Sequence, residues 1–284
     1  MTSFSYHAPL TLETTFDLLE RYGADARIMA GGTDLLVRIK TGRIAPRAVI
    51  DIKHIADLNA SVVLAKDRVE IGSLALMADL QNDPILKRHF LALLEAAASV
   101  GSVQIRNRAT LAGNLCNASP AADTAPALLI YNALVNLASR KGLRALPLRQ
   151  FILGPGKTAL EAGELVSSIT IPLPAADQAA VFSRLTRRKG VDLATINLCC
   201  QVFKSGLVRF AIGAAAPVPF LVEETSGRLV DPSLDPEIKD QLLRGLMESA
   251  APISDVRASR DYRQAMLVVL ARRALAESLK RLNS

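Results

Sequence analysis

The sequence has no tryptophan, only three histidines and three cysteines, and aromatic residues fill 4% of its 284 positions. Each scarcity excludes something. Cys116, Cys199 and Cys200 form no CxxC pair and have no neighbouring histidine, and three thiolates cannot complete an ordinary four-cysteine iron–sulfur or structural zinc site. If the protein serves an iron–sulfur enzyme, the clusters are on other chains. Cys199 and Cys200 are adjacent in an apolar run, and a strand there would send them to opposite faces. His89 opens a helical stretch without any partner pattern and reads as structural. The longest apolar stretch, Thr124 to Ala138, is broken by Asn132 and Asn136 and is too short to span a bilayer. No charged-then-apolar signal opens the chain, and residues 1–25 read as polar and helical. The expectation is a soluble, cytoplasmic protein with no membrane span. GxGxxG and a P-loop are both missing, so a bound nucleotide would need another architecture. A formal charge of +7 raises nucleic acid as a partner. The basic residues are dispersed and few aromatics accompany them, which argues for no nucleic acid. An anionic cofactor and acidic partner subunits account for the charge better.

What the chain does have is length, a half share of hydrophobic residues and one long run of small ones. The length allows two domains with their own cores. From Thr110 to Leu129 there is no lysine, arginine, glutamate or aromatic residue. Gly113 and the alanines permit close backbone approach, while Thr110, Asn114, Asn117, Ser119 and Asp123 bring short hydrogen-bonding groups. Such a run suits a cofactor loop and a close-packed structural loop equally well. Upstream, residues 11–22 form a helix with Leu12, Phe16 and Leu19 on one face, which Gly23 ends. Arg27 to Ala30 reads as a strand, Gly31-Gly32 as a turn, and Thr33 or Asp34 as the cap of a helix over 35–40. Free amides at such a turn cradle an anion, usually a phosphate; the plain alternative is an ordinary strand-to-helix connection. A strand at Val49–Ile52, a hairpin over 62–71 and a helix over 88–98 follow. Arg106 and Arg108 could neutralise phosphates or be solvated. A helix over 125–131 and a strand at 134–138 lead to a loop at 154–156 and a strand at 169–172. Residues 174–177 make the best domain boundary, giving units at 1–56, 57–175 and 177–284. The last unit is α+β, with strands near 180–186, 193–203 and 208–216 before helices near 236–248 and 261–281. In the final helix Leu267, Leu270, Ala271, Ala274 and Leu275 face a core, while Arg272, Arg273, Lys280 and Arg281 read as surface. The sharpest charge cluster is Arg184 to Lys189.

Two motifs in order carry a resemblance. Ala30-Gly31-Gly32-Thr33-Asp34-Leu35-Leu36 and the run from Thr110 to Asp123 are similar to the two flavin motifs of the FAD-binding medium subunits of molybdenum hydroxylases. That family includes flavoprotein subunits of xanthine dehydrogenase, carbon monoxide dehydrogenase and 4-hydroxybenzoyl-CoA reductase. Gly154 to Thr158 with Gly163-Glu164-Leu165 resembles its link into the last domain. The resemblance implies an α+β chain: a two-subdomain FAD-binding fold of the vanillyl-alcohol-oxidase type, followed by a small α+β domain. It implies that Ala30, Gly31, Gly32, Thr33, Asp34 and Leu35 wrap the pyrophosphate, chiefly through backbone amides. Thr110, Gly113, Asn114, Ser119 and Asp123 would run along the pyrophosphate, ribityl chain and flavin edge. Leu165 or Val166 would lie near a ring, and Arg184 near the isoalloxazine, where a cation favours negative charge on the reduced flavin. Ala112 stands where the family commonly has glycine, and Arg184 where it usually has lysine. The implied role is an FAD-carrying electron-transfer subunit with no catalytic acid–base residue and no metal of its own. Its partners would be a large molybdenum-cofactor subunit and a small [2Fe-2S] subunit, assembled as a dimer of heterotrimers. Two rivals are a self-sufficient FAD oxidoreductase of the same fold and a non-catalytic nucleotide- or phosphate-binding protein. The first needs a base over the flavin, and none of His7, His54 and His89 lies in a site-like stretch.

Overall fold

The computed structural model describes residues 3–284. Its first unit alternates strands and helices: β1 (Ser5–His7), α1 (Leu12–Tyr22), β2 (Ala26–Met29), α2 (Leu35–Lys40) and β3 (Ala48–Asp51). The Thr11 hydroxyl caps α1 by accepting the Thr14 N–H at 3.2 Å, and α1 buries Thr15, Phe16 and Leu19. Gly23, at φ 50°, ends the helix. The strands pair in parallel in the order β1–β3–β2. Short β1 lies within a stretch that the sequence presents as helical; three half-exposed residues carry no periodicity for either state. Asp34 takes the cap position of α2 without any side-chain hydrogen bond to the helix, so neither expected capping bond of that turn forms.

The second unit holds a five-stranded antiparallel sheet in the order β4 (Val62–Leu64), β5 (Arg68–Gly72), β10 (Leu165–Pro172), β6 (Leu134–Ser139), β7 (Gly142–Pro147). Between β5 and β6 come α3 (Met77–Leu80), α4 (Pro84–His89), α5 (Leu91–Ser99), α6 (Val103–Arg106), α7 (Leu111–Cys116) and α8 (Thr124–Ile130). The helix expected over 88–98 is therefore two helices. Asp83 and Pro84 start the earlier one, and Phe90 interrupts the pair at φ −133°, ψ 47°. Phe90 is fully buried, and its ring meets Tyr131 edge-on at 5.1 Å between centroids, so packing overrides the local helix preference. The short helix α9 (Leu148–Phe151) and the hairpin β8 (Ile152–Gly154), β9 (Lys157–Thr158) complete this unit. The subdomains share a core: Ala138 and Leu165 pack with Phe16, Leu19, Ile50, Ile55 and Leu58.

The last unit is an antiparallel sheet of β11 (Gln178–Leu185), β12 (Ile196–Phe203), β13 (Val208–Gly213) and β14 (Phe220–Glu224), covered by α10 (Pro236–Met247) and α11 (Arg260–Leu282). Cys199 belongs to the core shared with the second unit and Cys200 to the core beneath α11, the opposite-face placement read from the sequence. All five apolar residues singled out on the last helix are buried. Arg281 departs from its surface reading. It is half-buried, bonds Glu95 at 2.5 Å and donates to the Ala180 carbonyl at 3.0 Å, joining α11 to α5 and β11. Helical spacing reveals the face of a charge but not the element that docks on it.

Candidate functional site

β2 and β3 end where the two subdomains meet, and a cavity of about 340 Å³ opens there. A crevice at the carboxyl ends of parallel strands is the usual binding place in such folds. Its first wall is the turn after β2. The backbone N–H groups of Gly31, Gly32, Thr33, Asp34 and Leu35 make no hydrogen bond among the described residues; the first amide to find a carbonyl is that of Leu36, which donates to Gly32 at 3.0 Å. Five successive unpaired donors beside a cavity form an anion cradle. Gly32 turns the chain at φ 74°. Gly31 is needed for space: a Cβ there would lie 1.9 Å from the carbonyl oxygen of Arg108. The two sequence motifs thus touch through their backbones.

The second wall is the start of the small-residue run, which is a helix and not only a loop. Two backbone bonds pin it, from Met77 to Ala109 at 2.9 Å and from Leu111 to Ala75 at 3.1 Å. The Thr110 hydroxyl caps α7 by accepting the Gly113 N–H at 3.0 Å. Asn114 Oδ1 accepts from the Thr124 hydroxyl at 2.6 Å, which orients the amide. Leu165 and Val166 of β10, with Leu160 and Val100, supply apolar lining. The cavity brings together Ala30, Gly31, Gly32, Thr33, Asp34, Leu35, Thr110, Gly113, Asn114, Leu165 and Val166.

Ser119, Asp123 and Arg184 lie outside this cavity. Ser119 lines a separate one of about 220 Å³, between the second unit and the last. Asp123 is buried, accepts from Arg184 at 2.8 Å and from the Asn197 amide at 2.7 Å, and ties the end of the small-residue run to β11 and β12. Burial lifts its carboxyl above the ordinary range, and Asn197 and Arg184 offset only part of that. The rest of the Arg184–Lys189 cluster is partly self-satisfied: Arg187 bonds Asp192 at 3.1 Å and holds that carboxyl low. Arg106 donates to the carbonyls of Val100 and Gly101, a structural part.

Several lining residues escaped the sequence reading. Arg38 follows Leu35 by one helical turn, a spacing that could have placed it on the same face. Ser73, Ile105 and Cys116 had no such signal, whereas Asn117, one of the short hydrogen-bonding groups of the small-residue run, does line the cavity. Ser73 is a buried hydroxyl with no hydrogen-bond partner among the described residues. Burial pushes the Cys116 thiol up to about 12, so it stays protonated and is a poor nucleophile at neutral pH. Besides the thiol, the ionisable lining groups are Arg27, Asp34 and Arg38. An amide cradle, two guanidiniums against one carboxylate, and apolar walls fit a dinucleotide with a doubly charged pyrophosphate and aromatic rings.

These features define a dinucleotide-binding α+β protein, and comparison with known proteins narrows the class. Residues 2–174 match the FAD binding domain in molybdopterin dehydrogenase, and residues 181–278 match the CO dehydrogenase flavoprotein C-terminal domain. A putative xanthine dehydrogenase FAD-binding subunit of Escherichia coli K12 is 30% identical, over 97% of this chain and 96% of its own. The nicotinate dehydrogenase FAD-subunit of Eubacterium barkeri is 32% identical, over 93% and 92%. Among solved structures, carbon monoxide dehydrogenase from Hydrogenophaga pseudoflava superposes with a TM-score of 0.90 at 30% identity, covering 98% of both chains. Quinoline 2-oxidoreductase from Pseudomonas putida 86 gives 0.91 at 26%, covering 99% of both. The chain belongs to the family of FAD-binding medium subunits of molybdenum hydroxylases. Its fold is the family's, an FAD-binding domain followed by the flavoprotein C-terminal domain.

Proposed function

We propose that the chain holds FAD in the cavity between its subdomains and passes electrons between partner [2Fe-2S] clusters and an external acceptor. The observation that carries this reading is the run of five unpaired amides at residues 31–35, facing α7 across one cavity. FAD supplies the redox chemistry when bound, since it exchanges electrons singly or in pairs. The chain's own part is to bind and orient. The amides of Gly31 to Leu35 hold the pyrophosphate, with Arg27 and Arg38 balancing its charge. Thr110 fixes the first turn of α7 so that Gly113 leaves room beside it, and Asn114 presents a set amide. Leu165 and Val166 shield a ring from water. Asp123 and Arg184 fix the far end of the same segment against the last domain, and Ser119 lines the second cavity there. Arg184 is thereby held close to that end.

The cavity favours this reading over a self-sufficient oxidoreductase. No histidine lines it, Cys116 is held neutral, and Asp34 sits in the anion cradle itself. The substrate would therefore be transformed on a partner chain bearing the molybdenum cofactor, with a small [2Fe-2S] chain between them. We place the assembly in the cytoplasm as a dimer of heterotrimers. Among the described residues no helix is long and apolar enough to cross a membrane. The test is the absorbance spectrum of the purified chain with and without added FAD, followed by release and identification of the chromophore. Bands near roughly 370 and 450 nm that release FAD are the expected result. A folded chain and a native complex both lacking flavin would overturn it.

A further inference from the structure

One guanidinium governs the segment that carries the apolar wall of the cavity. Leu160, Leu165 and Val166 line the cavity, in or just after the turn between β9 and β10. Arg144, on β7, reaches that turn. Its Nε and Nη2 donate to the two oxygens of Glu164 at 2.6 and 2.7 Å, and Nη2 also donates to the Ala159 carbonyl at 2.9 Å. The Glu164 carboxylate closes the turn from its other side by accepting the Glu161 N–H at 2.7 Å. Its side chain is only 6% exposed. Both ends of residues 159–164 are therefore tied together through a fork of charge-assisted bonds. Among the described residues, Arg144 is the only side chain outside the turn that bonds to it.

The tie that precedes it is on the small-residue run. The Gly156 N–H donates to the Ala118 carbonyl at 2.9 Å, where Ala118 holds φ 45°. A residue with a side chain keeps that left-handed conformation only where its surroundings fix it. The stretch from β8 to the start of β10 is thus fastened at Ala118 and again at Arg144, with Leu160 inside the second fastening. Leu160 is half-buried. With the cavity on one side it has packing on the other side alone, so the ties of the turn set where it stands.

The geometry points to Arg144 and Glu164 as a positioning pair for FAD. By tying residues 159–164 they hold Leu160 and Leu165–Val166 closed on a ring of the cofactor, and so set how tightly FAD is kept. The inference rests on the proposed FAD-carrying function and adds two residues that do not line the cavity themselves. Without the fork, the empty folded chain samples an open wall, and FAD binds only the fraction that is closed. The amide cradle at residues 31–35 shares no hydrogen bond with this turn among the described residues, so its hold on phosphate stays as it was.

The test uses the native complex, stripped of flavin and titrated with FAD or with inorganic pyrophosphate, which fills the cradle alone. Removing Arg144 by itself would leave a buried carboxylate, so the double variant Arg144→Met, Glu164→Gln removes both charges together. It should bind FAD about 10-fold more weakly with pyrophosphate affinity unchanged. Hydrogen exchange at residues 159–164 should be faster than in the wild type without flavin and slow again when FAD is added. Arg144→Lys keeps the charge but not the fork, and should fall between the two. Arg272→Met breaks the ion pair with Asp240 on α10 and should change none of these readings. FAD affinity equal to wild type in the folded double variant, or an equal loss for FAD and pyrophosphate, would overturn the inference. If the double variant does not fold, wild-type FAD affinity in folded Arg144→Lys overturns it equally. A wild-type chain and complex without FAD would instead count against the proposed function, so the two failures are separable.

Discussion

Replacing Gly31 by alanine probes the one contact that brings the two halves of the cavity together. The backbone at Gly31 does not have positive φ, so alanine meets no conformational barrier there. The obstacle is space. The new Cβ would fall 1.9 Å from the Arg108 carbonyl oxygen, 2.7 Å from its carbon and 3.1 Å from the Ala109 Cα. A relaxed contact is near 3.5 Å, so the turn and the segment before α7 must part by roughly 1.5 Å. Both obstacles are backbone, so no side chain can rotate away. Overpacking of this kind costs about 1–3 kcal/mol, and a backbone-on-backbone clash belongs at the upper end. For a domain of this size about 3 kcal/mol lowers Tm by roughly 6–12 °C. Parting the two walls also widens the anion cradle, so the variant should lose FAD before it loses its fold. Calorimetry and flavin content per chain, measured on Gly31→Ala beside Gly154→Ala, test this. Gly154 has open space around its Cβ position and serves as the control. A Gly31→Ala protein with wild-type Tm and full FAD would refute the reasoning.

Gly113→Val should also empty the site, because its Cβ position already lies 2.8 Å from the capping Thr110 hydroxyl; a folded variant with normal FAD content would defeat that assignment. Removing the Arg184 side chain leaves Asp123 buried with only Asn197, and should cost about 2–3 kcal/mol in chemical denaturation, below the full cost of breaking a buried pair because Arg184 is partly exposed. Asp123→Asn in the same background should recover part of the loss. Asp255 gives a pH prediction. Burial resists its ionisation, but hydrogen bonds from Arg257 and Arg263 outweigh this and hold its carboxyl well below the ordinary range. Its folded pKa is depressed, so its stabilisation is full above the unfolded value of about 3.9 and is lost as pH falls through the folded one. Asp123 acts in the opposite sense: raised by burial, its contribution is full below the unfolded value and lost as pH rises through the folded one. A Tm-against-pH series between roughly 7 and 2 should show an acid limb that flattens in Asp255→Asn, and an equally steep limb in that variant would exclude Asp255 as its source.

The sequence by itself determined the local parts of this protein. Gly31-Gly32 after a β-rich tetrapeptide specifies a turn that leaves amides unpaired, and both flavin motifs are contiguous, so their chemistry needs no tertiary information. The opposite fates of Cys199 and Cys200 follow from the strand period alone, and the buried face of α11 from the helical one. The tertiary structure decided everything that depends on which segments meet. Phe90 breaks a run of strong helix formers because its ring has a place against Tyr131, more than forty positions along the chain. Ser73 and Arg38 reach the cavity because β5 and α2 are folded against its walls. Asp123 and Arg184, sixty-one residues apart, are joined in a part-buried ion pair outside the cavity, and Arg281 turns from surface to Glu95. Local propensity is a sum over neighbours in the chain, whereas these placements depend on long-range packing, which no single stretch of sequence encodes.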